Sequence, residues 1–138
     1  MEITITKAAE KKFQFFAHNA QSTFPVCASP SMEAGNDGFR PMELLLVGLG
    51  GCMSVDVVNI LSKQKQNISN YKVSVSADRS DGIPALFTQI RIHFDLWGDV
   101  DASKLERAIA WGVEKYCSVH FILEKTAEIG TSYKIHHD

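Results

Sequence analysis

The sequence predicts an α+β domain, with antiparallel sheets packed around one long central helix. Three observations predict it. Short runs with period-two alternation open the chain and return between residues 71 and 97. Between these two strand regions lies a run almost free of charge, Arg40 to Leu61. A capped, amphipathic segment follows the second strand region. Strand runs interleaved with two main helices belong to that class.

Taken in order, "EITIT" alternates with Ile3 and Ile5 on one side. "KKFQFFAHN" is a second strand segment, with Phe13 and Phe15 on a common face. "TFPVCASP" is a third, and Pro25 confines it to a sheet edge because proline has no N–H for a second neighbour. "AGNDGF" is a turn, where Gly, Asn and Asp supply positive φ and local hydrogen bonds. Pro41 suits a first helical position, where its missing N–H costs nothing, and a helix is expected to about Lys65. Lys63 and Lys65 complement the negative end of its dipole. Tyr71, Val73, Val75 and Ala77 share one face of the next strand; Ile90, Ile92, Phe94 and Leu96 share one face of the strand after it. The loop "RSDGIPAL" between them permits antiparallel pairing. Asp101 or Ser103 starts a second helix, and Ser103 and Glu106 have capping-box spacing. Its apolar stripe is Leu105, Ala108, Ile109, Gly112, Val113 and Tyr116. Cys117 falls at its end or at the junction with a short third helix, "SVHFILEK". "AEIGTSYKIHHD" closes the chain as a last strand and a tail that holds His136 and His137.

One domain over residues 1–138 is expected from the length. A net charge of -2 with scattered lysines offers no track for nucleic acid. The uncharged run Leu44 to Val55 is shorter than the roughly 20 residues of a membrane span, so it reads as a core helix. "MEITITKAAEKKF" lacks the apolar region of a secretory leader, which points to a cytoplasmic setting with reduced thiols. Cys27, Cys52 and Cys117 are too few and too odd in number for a disulfide scaffold.

Gly48, Gly50 and Gly51 each cost a helix interior roughly 0.5–1 kcal/mol relative to Ala. Close approach of another backbone offsets such a cost. Either a second helix, for example from another copy of the chain, packs there, or the helix packs tightly on its own sheet. Three familiar motifs fail. "GLGGCM" lacks the third glycine and the leading strand of a dinucleotide fingerprint. "GGCMS" is one residue short of a nucleophile elbow and lies mid-helix. Cys117 and His120 have the spacing of two metal ligands but no second pair, so no metal is expected. A reactive cysteine requires a thiolate, and Cys52 lies about three turns beyond the helix start, outside the reach of the dipole. Help must come through space, with Arg40 the leading cation in the sequence. Read on its own, Cys52 is either a small core hydrophobe or a reactive thiol.

"RPMELLLVGLGGCMSVDVV", followed much later by "GVEKYCSVHFIL", resembles the OsmC/Ohr family of osmotically inducible and organic hydroperoxide resistance proteins. The shared pattern is Pro41, an acidic residue, Leu44, Cys52 eleven residues after the proline, and a second cysteine, Cys117, near a later helix junction. The resemblance covers essentially the whole chain. It implies an intertwined homodimer with both active sites at the subunit interface. It also implies a peroxidase in which Cys52 attacks the peroxide O–O bond and Cys117 resolves the sulfenic acid to a disulfide. An external dithiol then reduces that disulfide, and no metal or organic cofactor is needed.

Two departures from that pattern mark a divergent branch. Met42 stands where the hydroperoxide-resistance enzymes place a catalytic Glu, and Glu43 projects about 100° further round the helix. No arginine precedes Arg40 to hold the thiolate from an N-terminal strand. Glu43 accepts a hydrogen bond from Arg40, steers the thiol proton, or serves the helix dipole; Arg40 pairs with Glu43 or Asp56, acts on Cys52, or is a solvated surface residue. Asp56, alone on an apolar segment, is paired, turned to solvent, or at the border of the site. Tyr116 and His120 flank Cys117, His93 is expected on a polar strand face, and Cys27 is expected to have no role. The function expected is reduction of organic hydroperoxides or hydrogen peroxide in oxidative-stress defence, with Cys52, Cys117, Glu43 and Arg40 as catalytic residues. The alternative is a non-catalytic homodimer that senses redox state or binds a small apolar ligand. Neither nucleic acid nor membrane is an expected partner.

Overall fold

The computed structural model describes residues 1–28 and 37–137. The end of the third strand segment (29–30), the start of the "AGNDGF" turn (34–36) and Asp138 lie outside the described residues. The chain forms two compact units, Met1–Leu45 and Leu46–Asp138.

In the N-terminal unit, β1 (Thr4–Lys7), β2 (Gln14–His18) and β3 (Thr23–Cys27) form an antiparallel sheet in the order β1-β2-β3. Phe13 precedes β2, so only Phe15 of the expected pair lies in the strand. Pro25 does occupy an edge strand; on its outer side the Phe39 backbone bonds Pro25 O and the Cys27 N–H. Cys27 is buried, and its thiol donates to the Gly38 carbonyl at 3.2 Å. Ile3, Ile5, Phe15, Phe24 and Leu44 line an apolar cavity of about 530 Å³.

Helix α1 (Pro41–Lys63) starts in this unit and runs on into the next. It ends two residues before Lys65, which has left-handed backbone (φ 58°) beyond the last turn. The C-terminal unit adds β4 (Asn67–Arg79), β5 (Phe87–Asp99), α2 (Ala102–Trp111), a π-helical turn (Gly112–Tyr116), α3 (Ser118–Leu123) and β6 (Glu128–His136). The sheet order is β4-β5-β6. β4 pairs antiparallel with β5, as expected, but β6 runs parallel to β5. A crossover made of α2, the π-turn and α3 carries the chain back to the same sheet end, which a hairpin cannot do. Gly98 holds φ 126° at this sheet's irregular start, where a Cβ would stand 2.3 Å from the Asn67 carbonyl oxygen.

The core of this unit joins Leu49, Met53, Val57 and Leu61 of α1 to Ile90, Ile92, Phe94 and Leu96 of β5 and to Leu105 and Ala108 of α2. By length and composition α1 could cross a membrane. Its buried face, however, is packed in this core, and Tyr71 on β4 reaches across to donate to Ser54 Oγ at 2.9 Å. The three helix glycines divide in role. Gly50 faces β4, where a Cβ would come within 3.0 Å of Val75 Cγ2, so helix-on-sheet packing explains it. Gly51 faces open space, and Gly48 has only ordinary room beside Val119.

Two features of the later chain correct the sequence expectations. Asp101 is the cap of α2, its Oδ1 accepting from the Lys104 N–H at 3.1 Å and from Ser103 Oγ at 2.5 Å. The Ser103–Glu106 box does not form, because the helix begins at Ala102 and Ser103 already lies inside its first turn; Glu106 accepts instead from the Tyr133 hydroxyl at 2.5 Å. His136 belongs to β6, not to a tail: it stacks on Trp97 at 4.3 Å and bonds Asp95 at 2.8 Å. His93 lies on the outer face and bonds Ser132 at 2.7 Å.

Candidate active site

Helix α1 presents Cys52 and, one turn on, Asp56. Cys117 meets them from the joint between the π-turn and α3. Two local features place it. Gly112 lets the π-turn lie against α1, since a Cβ there would be 3.1 Å from Met53 Cε and 3.8 Å from Asp56 Cβ. Cys117 then leaves helical geometry (φ −79°, ψ 100°) and caps α3, its N–H donating to Gly112 O at 2.9 Å and its sulfur accepting the His120 N–H at 3.3 Å. Cys52 Sγ, Cys117 Sγ and an Asp56 carboxylate oxygen all lie within 4.8 Å of one another. Both cysteines are free thiols; Cys117 is buried and Cys52 is partly accessible.

The electrostatics distinguish the two thiols. Burial, the neighbouring Cys52 sulfur and the Asp56 carboxylate together push Cys117 up to about 12, against which the His120 N–H acts alone. Cys117 therefore keeps its proton at neutral pH. Burial also raises Asp56, whose Oδ2 is enclosed with no hydrogen-bond partner among the described residues. Asp56 is thus half-buried, with one carboxylate oxygen enclosed and unpartnered among the described residues, and it borders the thiols. No cation is among the groups that act on Cys117.

Arg40 and Glu43 belong to the N-terminal unit and are partners of each other. Glu43 Oε1 accepts from Arg40 Nε at 3.1 Å and from its backbone N–H at 2.9 Å, which holds the carboxyl below its ordinary range. This carboxylate lies in the first turn of α1, where it also suits the helix dipole, the role open to it in the sequence. Tyr116 is exposed rather than part of the α2 stripe, and with Asp56, Lys63 and Trp111 it lines a cavity of about 270 Å³. Cys117, Val113, Phe121 and Ile122 line another of about 240 Å³. His120 is buried; its ring approaches Glu124 at 3.6 Å, too far for a hydrogen bond.

Residues 34–132 match the family described as OsmC-like protein. This chain belongs to the OsmC-like family. Its relatives include Protein YhfA of Escherichia coli K12, 40% identical over 105 residues that cover 73% of this chain and 78% of YhfA. Among solved structures, a hypothetical protein from Aquifex aeolicus VF5 superposes with a TM-score of 0.86 at 28% identity, covering 99% of this chain and 96% of that one. The organic hydroperoxide resistance protein OhrB of Bacillus subtilis shares the fold, with a TM-score of 0.71 at 13% identity and 97% and 98% coverage. The OsmC-like fold accounts for the long helix and the two three-stranded sheets. Asp56 is the neighbour of both sulfurs that sequence reasoning left undecided. Its signal was the i,i+4 spacing from Cys52, which puts both on one helix face.

Proposed function

We propose that this OsmC-like protein is a thiol-dependent peroxidase that reduces organic hydroperoxides or hydrogen peroxide. The observation that carries the reading is the approach of Cys52 and Cys117 to within 4.8 Å, without a disulfide between them. Attack falls to Cys52, since Cys117 keeps its proton at neutral pH and is the more buried of the two. The Cys52 sulfur attacks the terminal peroxide oxygen and the O–O bond breaks, giving Cys52–SOH and one alcohol or water. Cys117 then gives up its proton and attacks the sulfenic sulfur to form the disulfide and release water. Two thiols of an external dithiol reduce that disulfide, supplying two electrons and two protons. Val113, Phe121 and Ile122 beside Cys117 give an organic peroxide an apolar contact, and a cytoplasmic setting supplies the dithiol.

The assay is peroxide loss from cumene hydroperoxide with dithiothreitol. Cys52→Ser is expected to consume peroxide no faster than buffer with dithiothreitol; consumption at the parent rate removes the catalytic assignment. Arg40 and Glu43 enter this reading as one ion pair in place of the missing Arg–Glu clamp. Arg40→Ala is expected to slow turnover about tenfold or more without a change in Tm; an unchanged rate removes both from the catalytic set.

The proposal includes a homodimer. Val47, Gly51, Val55 and Val58 recur on one face of α1 and are exposed, three of them large apolar side chains. A second copy covering that stripe gives Gly51, which meets nothing within 4 Å in its own chain, a packing role. The alternative reading, a redox sensor or binder of a small apolar ligand, is favoured by the apolar cavity of the N-terminal unit. It predicts an apolar ligand that binds as well to Cys52→Ser as to the parent, with no peroxide turnover in either.

A further inference from the structure

Three acid-forming groups converge on one point in the C-terminal unit: two thiols and a carboxylate, with no cation among the groups that act on Cys117. Cys52 and Asp56 share a face of α1, and Cys117 is fixed by hydrogen bonds at both its N–H and its sulfur. Asp56 Oδ2 is enclosed and has no hydrogen-bond partner among the described residues. We infer that in the reduced chain Cys52, Asp56 and Cys117 form a three-ligand site for a thiophilic divalent cation, zinc above all, with a fourth position open to water.

The ligand types select the ion. Magnesium and calcium take oxygen ligands, whereas two thiolates with one carboxylate suit zinc and its spectroscopic substitute cobalt. The geometry fits. Zinc–sulfur bonds of about 2.3 Å at a tetrahedral angle set the two sulfurs about 3.8 Å apart. The ligand atoms lie within 4.8 Å before any ion draws them in, so small side-chain rotations close the site. The sequence spacing had suggested Cys117 with His120. The structure joins Cys117 instead to the i,i+4 pair on α1, and His120 is not one of the three groups.

The chemistry balances as one divalent cation and two thiols giving a dithiolate complex and two protons, with ionised Asp56 bringing the net charge to minus one. The cation provides positive charge where three acid-forming groups meet and one carboxylate oxygen lacks a hydrogen-bond partner among the described residues. Binding and oxidation exclude each other. A Cys52–Cys117 disulfide leaves only one of the three ligands, so oxidation expels the ion, and a bound ion shields both sulfurs.

The test uses the reduced full chain, free of oxygen, with cobalt(II) as probe and zinc as competitor. About one cobalt per chain is expected, with near-ultraviolet thiolate-to-cobalt absorption that zinc abolishes and about two protons released per ion. Cys52→Ser and Cys117→Ser each lose at least half of that absorption. Asp56→Asn binds about tenfold or more weakly while its metal-free circular dichroism spectrum matches that of the parent, which shows it is folded. Cys27→Ser binds like the parent, and the disulfide form does not bind. The inference is overturned by absence of the absorption in the parent, by its survival at full strength in Cys52→Ser, or by parent-like affinity in Asp56→Asn. No peroxide enters this measurement, so its failure leaves the peroxidase proposal standing, and the reverse also holds.

Discussion

At the scale of single residues, the site is governed by Asp56 and by the different burial of its two thiols. Asp56 is raised by burial, so its contribution favours the fold below the ordinary carboxylate range and is lost as pH rises through the raised value. At neutral pH its charge is a cost. Asp56→Asn, measured with a chelator present, is expected to stabilise the chain by about 1 kcal/mol, read as a higher Tm. An unchanged or lower Tm contradicts the enclosed-charge account. Cys117 has the same sign at the other end of the scale. Keeping its thiol neutral contributes stability that is complete below about 9 and is lost as pH rises through about 12. The denaturation midpoint of the parent should therefore fall more steeply across that window than that of Cys117→Ser, and parallel curves would contradict it.

At the scale of elements, the glycines of α1 separate two kinds of packing. Gly50→Ala drives a Cβ against Val75 and is expected to cost about 1–3 kcal/mol by urea denaturation. Gly51→Ala meets nothing in its own chain and should gain about 0.5–1 kcal/mol of helix propensity in the monomer. Equal effects at the two positions would mean that helix-on-sheet contact does not explain Gly50. The elements themselves were legible where alternation or capping residues were strong: α1 from Pro41, and the apolar faces of β4 and β5. What was not legible depended on partners distant in sequence. Nothing local in "AEIGTSYKIHHD" distinguishes parallel from antiparallel pairing, because that direction is set by the α2–α3 crossover. Likewise His136 read as a tail residue because its partners, Trp97 and Asp95, lie on β5. The cysteine pair was legible through the family pattern, while the third group beside it required the π-turn at Gly112 to be seen against α1.

At the scale of the whole molecule, the proposed function makes the reduced chain a dimer through the exposed stripe of α1. Light scattering at micromolar concentration should report two chains per particle for the parent and one for Val55→Lys, which sets a charge in the middle of the stripe. A parent that is cleanly monomeric removes the shared interface. The redox step of the proposed function, by contrast, lies within one chain, because Cys52 and Cys117 meet inside the C-terminal unit. The most direct test treats the reduced, metal-free protein with one equivalent of cumene hydroperoxide and maps its cysteines by peptide mass spectrometry. The account predicts a Cys52–Cys117 linked peptide, a chain that keeps its single-chain mass on a non-reducing gel, and Cys27 still a free thiol. Recovery of Cys52 and Cys117 both as free thiols, or of Cys52 as a sulfinic acid beside an untouched Cys117, would contradict it.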